Sequence, residues 1–330
     1  MLSAFLFTFA QTIINNQHND NQIVGHEVFR MKFQLYQPQA INELGGRSNQ
    51  EDSIYPLAGE ASAERRVFVV CDGMGGLDKG EVASEAVSKA LGQMADAILS
   101  AVPVFTDEDF RQCLSNAYDA LDAADPNNEA SMGTTMTFLC FHDGGCMVAH
   151  IGDSRIYHLR PSLGPEKGVL YRSRDHSLVQ QLYEQGEISY EEMKTSPRKN
   201  VILKAMQPHL EQRTGATLVN IMDVKPGDYF YLCTDGMLER MEDSGLMSIV
   251  CSTDTDEQKR QRLINATAGN ADNHSAYLIQ VKDVTDVEEE SDNLPVAPEP
   301  KKNSKISVVA IGLSVLSLLA GIAAGIAVFL

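Results

Sequence analysis

The sequence predicts a layered α+β domain followed by one C-terminal membrane-spanning helix. Three observations carry this reading. Short β-branched and aromatic runs repeatedly close on an acidic residue beside glycine; two longer segments carry apolar residues at helical spacing; and the last 25 residues hold no charge.

The first folded segment opens at Met31 with "MKFQLYQPQA", a strand candidate. Residues 1–30 contain an apolar run but no Lys or Arg before Arg30, whereas a signal peptide normally begins with a basic region. They read as an N-terminal extension from an upstream start, with a signal peptide as the alternative. Next, "GGRSNQEDSIY" places Glu51 and Asp52 between a glycine turn and a strand. In "VFVVCDGMGG", Val67 to Cys71 form a doubly buried strand that ends on Asp72, and the glycines after it let another group approach the main chain. Then "GEVASEAVSKALGQMADAILS" presents Val82, Ala83, Ala86, Val87, Ala90, Leu91, Met94, Ala95 and Ile98 as one helical apolar face. A second helix runs from a Thr106 N-cap to about Ala123.

"CMVAHIGDSRIYHL" reads as two strands of a hairpin interrupted at Gly152 and Asp153. Tyr229 to Cys233 make a strand ending at Thr234 and Asp235, and Asp272 and Asn273 precede a strand from Ala276 to Val281. The folded unit thus spans 31–282. From 283 to 305 the chain is acidic and rich in Pro, Ser and Asn, without an apolar period, and reads as a flexible tether. Residues 306–330 as a helix extend about 37 Å, enough for a hydrocarbon layer of about 30 Å. Lys301, Lys302 and Lys305 precede them and favour a cytoplasmic location for the folded unit. Gly321 and Gly325 form a small-x-x-x-small pair within the span.

Composition narrows the function. A net charge of -18 and the lack of a basic stripe argue against nucleic acid as a partner and suit a protein that gathers divalent cations. The six cysteines include no C-x-x-C pair and read as small buried hydrophobes in a reducing compartment. Five acidic strand ends, at Glu51–Asp52, Asp72, Asp153, Asp235 and Asp272, need a common explanation. Each could merely cap a turn. Carboxylates brought together repel one another unless protonated or neutralised, and hard divalent cations with oxygen ligands are the usual remedy.

With these residues in view, the chain from about Lys32 to Val281 resembles the metal-dependent protein serine/threonine phosphatases of the 2C type, especially their bacterial stand-alone members. Eight ordered blocks carry the likeness: "GGRSNQEDS", "VFVVCDGMGGLDKGEVAS", "SMGTTMTFL", "AHIGDSRIYHLR", "SRDHSLVQQLYEQGEIS", "SPRKNVILKAM", "YLCTDGMLE" and "DNHSAYLI". The resemblance implies a four-layer α-β-β-α sandwich, two antiparallel sheets flanked by helices. It also implies that Asp72 bridges two Mn²⁺ or Mg²⁺ ions, that the Gly73 carbonyl binds one of them, and that Asp235 and Asp272 bind the other. Glu51 and Asp52 match the acidic pair that holds metal-bound water, and Arg47 matches the arginine that grips the substrate phosphate. Asp153 and Glu239 correspond to positions for a third, looser ion, where the family usually has Asp in place of Glu239.

The reaction implied is hydrolysis of phosphoserine and phosphothreonine in proteins, by direct attack of a hydroxide bridging two ions, on substrates supplied by a serine/threonine kinase pathway. Met74 departs from the eukaryotic pattern, where a histidine is assigned as general acid, and a thioether has no proton to donate. Gln50 stands where many relatives have Asn. His150, His176 and His274 read as structural, and Asp175-His176-Ser177 reads as part of a flap, because three consecutive residues cannot converge on one nucleophile. The rival reading, from another class, is a catalytically weak pseudophosphatase that binds phosphoproteins as a membrane-tethered scaffold.

Overall fold

The computed structural model of the chain describes residues 30–75, 79–128 and 132–287. The expected N-terminal extension, most of the tether and the expected span at 306–330 lie outside these residues. Among the described residues no helix is long and apolar enough to cross a membrane.

The strands are β1 Arg30–Leu35, β2 Gln39–Glu43, β3 Asp52–Tyr55, β4 Val67–Gly75, β5 Met132–Thr134, β6 Met136–His142, β7 Gly145–Ile151, β8 Arg155–Leu159, β9 Val169–Arg172, β10 Thr217–Ile221, β11 Tyr229–Cys233 and β12 His274–Val287. They form two antiparallel sheets. One runs β1-β12-β11-β8-β9, with β2 also paired to β12; the other runs β10-β7-β6-β4-β3, with β5 paired to β4. Helices α1 Gly80–Ala101 and α2 Asp107–Ala124 follow β4, α3 Leu178–Glu184 and α4 Tyr190–Thr195 follow β9, and α5 Asp243–Val250 and α6 Asp256–Thr267 lie between β11 and β12.

The period of two along each strand builds the layers. In β4, Phe68 and Val70 point to a core between the sheets, where they meet Phe141, Phe230, Leu232, Tyr277 and Ile279. The alternate residues Val67, Val69 and Cys71 face outward and are covered by Ala83, Val87, Leu91 and Ala95 of α1 and by Cys113 and Ala117 of α2. On the other outer face, Tyr157, Leu159, Tyr229, Tyr231 and Leu278 pack under Leu246, Met247 and Val250 of α5 and Leu263 of α6. Helices, sheet, sheet and helices therefore stack as the expected four layers. Burying each of these large side chains removes about 1.5–3 kcal/mol of apolar exposure.

The α2 start follows the sequence signal: the Thr106 hydroxyl accepts from Asp109 N, and the Asp109 carboxylate accepts in return from Thr106 N, a reciprocal cap typically worth about 1 kcal/mol. In α1 the buried stripe is turned from the one expected: Ser84, Ser88 and Gly92 join it, Ala86, Ala90 and Met94 are half-buried, and Val82 in the first turn is exposed. All six cysteines are free, five of them buried and Cys251 half-buried.

Two expectations are corrected. β7 and β8 are not a hairpin: β7 pairs with β6 and β10, and β8 pairs with β11 and β9. Gly152, at φ +104°, turns the chain from one sheet into the other, which sets Asp153 between the sheets' ends. The folded unit also continues past 282. Residues Asp283 to Val287, assigned to the tether, extend β12 along β1 as far as the Arg30–Val287 pair.

Candidate metal centre

Strands from both sheets deliver their acidic ends to one edge of the sandwich. Asp52 and Asp72 stand opposite each other in the β3–β4 register. Asp235 opens a 3₁₀ turn directly after β11, with Thr234 between, and Asp272 lies two residues before β12. Cross-sheet hydrogen bonds lock these ends together. The Thr234 hydroxyl donates to Asp52 Oδ2 at 2.9 Å. Asp72 N donates to Thr135 Oγ1 at 2.9 Å, and that hydroxyl lies 2.7 Å from Ser154 Oγ beside Asp153. Thr134 Oγ1 and Thr135 N both donate to the Asp72 carbonyl, each at 2.9 Å.

The glycines serve close approach. A Cβ on Gly73 would run into the Gly80 and Glu51 carbonyls, and one on Gly236 into the Asn273 carbonyl. Gly73 N donates to Glu51 O at 3.0 Å, and Ser84 Oγ donates to the same carbonyl at 2.6 Å. The β4 end, the start of α1 and the Glu51 loop are thus packed backbone to backbone.

The electrostatics are those of an under-neutralised acidic cluster. Burial and then the charges of Asp52 and Asp235 push the Asp72 carboxyl well above the ordinary carboxylate range. Burial, with Asp235 and Asp272 adding to it, takes Asp52 up to about 7. Burial together with Asp235 and Asp175 takes Asp153 up to about 7 as well. Asp235 is raised by burial and by Asp272, opposed by its hydrogen bond to Asp72. Asp153 Oδ1 is buried without a hydrogen-bond partner.

Among the described residues no group of three or more His, Cys, Asp or Glu side chains is placed so that it could hold a metal ion as it stands. What converges is a set of hard oxygen donors whose mutual repulsion is relieved by protons or by divalent cations. The orphaned Asp153 oxygen fits the cation, while the hydrogen bond between the Asp72 and Asp235 carboxyls is the relief a proton gives in its place.

Arg47 sits at the rim, with half of its side chain exposed, and its Nη2 donates to Asp272 Oδ2 at 2.8 Å. Glu239 accepts from Ala271 N at 3.1 Å, which brings it to the Asp272 loop. Every acidic position singled out in the sequence therefore lies at this edge. The three histidines make structural contacts. His150 stacks on His176 with centroids 4.5 Å apart, and its Nε2 lies 2.8 Å from Arg174 O; His274 Nδ1 lies 3.1 Å from Asp272 O. Asp175, His176 and Ser177 diverge. Asp175 is gripped through both oxygens by Arg155 at 2.7 Å each, His176 Nε2 meets Thr217 Oγ1 at 2.9 Å, and Ser177 caps α3.

One residue gains a role that the sequence did not give it. Asn273, almost fully buried, accepts from Glu51 N at 2.9 Å and donates to Leu44 O at 2.8 Å and Asn49 O at 2.9 Å. A single amide so fixes the loop that carries Arg47 and Glu51 against Asp272. Its signal, an Asn beside a strand-end Asp, was visible only as a turn. Beside the centre opens a cleft of about 380 Å³, lined by Asp153, Asp235, Asp272 and Glu239 and by Tyr190, Lys194 and Lys199 of the flap, the segment between β9 and β10 that begins with Asp175-His176-Ser177.

A sequence model of the protein phosphatase 2C family matches residues 46–263. The chain belongs to that family. It is 29% identical over 239 residues to the serine/threonine protein phosphatase PstP of Mycobacterium tuberculosis, a match that spans 72% of this chain but 43% of that protein. It is 29% identical over 243 residues to the protein phosphatase PhpP of Streptococcus pneumoniae, covering 72% of this chain and 94% of that one. Among solved structures, the catalytic domain of PstP in complex with two manganese ions superposes with a TM-score of 0.61 at 28% identity, covering 77% of this chain and all of that domain. In this 2C-type fold the acidic edge of the present chain lies where both sheets end.

Proposed function

We propose that the chain is a metal-dependent phosphatase that hydrolyses phosphoserine and phosphothreonine in proteins. The observation that carries this reading is the convergence of Asp72, Asp153, Asp235 and Asp272 from the ends of both sheets, beside Arg47. Asp72, Asp235, Asp272 and the Gly73 carbonyl would hold two Mn²⁺ or Mg²⁺ ions, Glu51 and Asp52 would order water next to them, and Asp153 with Glu239 would take a third. When bound, such ions supply positive charge to the transferring phosphoryl group and lower the pKa of water. The PstP catalytic domain with two manganese ions supports the same choice of cofactor.

The chain's own residues divide the remaining work. Arg47 offers a planar fork whose N–H groups meet two phosphate oxygens at once. Thr234 and Asn273 hold Asp52 and the Glu51 loop in place, so that the donors are set before substrate arrives. The tight β4 end keeps Asp72 from moving when charge develops. Met74 in β4 cannot act as general acid. The pseudophosphatase reading would be favoured by missing acids, and no principal acidic position is missing.

Replacing Arg47 separates phosphate grip from cation binding. Arg47→Ala is expected to lower kcat/KM for a phosphothreonine peptide by about tenfold to a hundredfold and to weaken inhibition by phosphate, while Mn²⁺ affinity measured by titration calorimetry changes little. Loss of Mn²⁺ binding together with catalysis would show that Arg47 acts on the metal centre instead.

The sequence further supports a C-terminal membrane anchor at residues 306–330, with the catalytic unit on the cytoplasmic side and a tether shortened to 288–305 by the length of β12. Full-length protein is then expected in membranes after high-salt and carbonate washes, and a chain stopped after Asn303 in the soluble fraction. Full-length protein recovered in the soluble fraction would overturn the anchor.

A further inference from the structure

The chain carries 45 acidic residues against 27 basic ones, yet the segment "KTSPRKNVILK" from Lys194 to Lys204 holds four cations and no acid. Lys194 is paired with Glu242 at 2.6 Å. Arg198, Lys199 and Lys204 are exposed, and none of the ion pairs formed among the described residues includes them. Arg174, beside them, has a side chain 81% exposed and meets Glu184 only at 3.6 Å.

The backbone beneath these cations is pinned to the catalytic edge. Leu178 N donates to Val201 O at 2.9 Å and Leu203 N to His176 O at 2.7 Å, while Met206 and Thr134 exchange two hydrogen bonds of 2.9 Å. Thr134 in turn binds the Asp72 carbonyl. The segment is therefore a fixed rim of the site.

Two hollows flank this rim. Lys199 lines the catalytic cleft. On the other side lies a hollow of about 640 Å³ that holds Arg172, Arg174, Lys204, Leu170 and Leu203 and shares Asp175 and Ser177 with the cleft. Of the acids in its wall, Asp175 is engaged by Arg155, and Glu184 accepts from Gln180 and lies 3.6 Å from Arg174; Arg172 is held by Asp243 at 2.7 Å. His150 and His176, which also line it, are both held neutral: burial lowers His150, and burial and then His150 itself take His176 down to about 4. Lys204, in no ion pair among the described residues, and Arg174, 81% exposed and met by Glu184 only loosely, are the cations that face an occupant, next to the exposed apolar side chains of Leu170 and Leu203.

We propose that this second hollow and its rim dock an acidic segment of the phosphoprotein substrate, adjoining the phosphorylated residue that enters the cleft. The proposal rests on the phosphatase reading and names its substrate class: phosphoserine or phosphothreonine with Asp and Glu nearby. A substrate chain that leaves the cleft past Asp175 and Ser177 enters the hollow directly. There Arg174 and Lys204 oppose its carboxylates, in an otherwise acidic protein that repels them. Such pairing acts on capture of the substrate and not on the chemical step.

The test uses the full chain with Mn²⁺, para-nitrophenyl phosphate, and two phosphothreonine peptides of equal length, one flanked by Asp and Glu and one by Lys and Arg. The native chain is expected to favour the acidic peptide, with a preference that shrinks as ionic strength rises. Arg174→Glu/Lys204→Glu is expected to raise KM for the acidic peptide by about tenfold, leaving its kcat and the aryl phosphate turnover as they were. Equal KM values for the two peptides in the native chain, or an acidic-peptide KM unmoved by the double substitution, would overturn the docking proposal. An effect seen only on Leu170→Ser/Leu203→Ser would overturn it also, in favour of apolar docking. Absence of turnover on all three substrates would instead count against the phosphatase reading itself.

Discussion

Asp72→Asn is expected to lower phosphatase turnover at least about a thousandfold, the equivalent of about 4 kcal/mol of transition-state stabilisation, without unfolding the protein. The carboxyl that would bridge two cations is the one most crowded by other acids, raised by burial and by Asp52, Asp235 and Asp153 together. An amide keeps its shape and removes one charge. In chelator the variant should therefore be at least as stable as the native chain, and the difference should depend on pH.

The sign follows from the direction of the shifts. Asp52 and Asp153 stay protonated in the folded, metal-free protein up to about 7, against 3.8 for the unfolded groups. Their contribution to stability is fully present below the unfolded value and is lost as pH rises through the folded one. The melting temperature of the native chain in chelator should accordingly fall between about pH 4 and about pH 7. Asp72→Asn should flatten that fall, because the Asp72 carboxyl is itself raised well above its unfolded value and an amide does not titrate. Mn²⁺ should restore the native chain at the upper end of the range and act weakly on the variant. Equal pH profiles for the two proteins, or a variant that retains turnover, would contradict the role given to Asp72.

What the sequence disclosed and what it concealed divide along sequence distance. Asp72 was legible because a five-residue apolar run of β4 stops on it, and Asp235 because β11 does the same. The α2 cap was legible because Thr106 and Asp109 are three residues apart. The partners that make these residues a site are not local. Thr234 meets Asp52 across 182 residues and Asn273 meets Glu51 across 222, and no periodicity records such pairs.

The hairpin expected at Gly152 failed for a related reason. Two apolar strands with a short turn look alike whether the second pairs with the first or crosses to the facing sheet, and here both are buried on both faces. The end of β12 was hidden by a bulge. The register slips between Gln34 and Leu35, so Val281 and Val284 both reach the inner core although they are three positions apart. Alternation by two is broken at that point, and the acids between the valines made the segment resemble a tether. The flap was readable as a flap, but the unpaired state of Arg198, Lys199 and Lys204 emerged only once Lys194, Arg172 and Arg155 were seen to be engaged.

The dependence of catalysis on a divalent cation tests the central claim most directly. The purified full chain is incubated with a phosphothreonine peptide and Mn²⁺ or Mg²⁺, then with excess chelator, and released phosphate is measured. Activation of the attacking water is assigned to the cations that Asp72, Asp235 and Asp272 would hold, so the account predicts hydrolysis with either cation, a fall to the peptide-only background in chelator, and recovery on adding Mn²⁺ back. Undiminished phosphate release in excess chelator would contradict it.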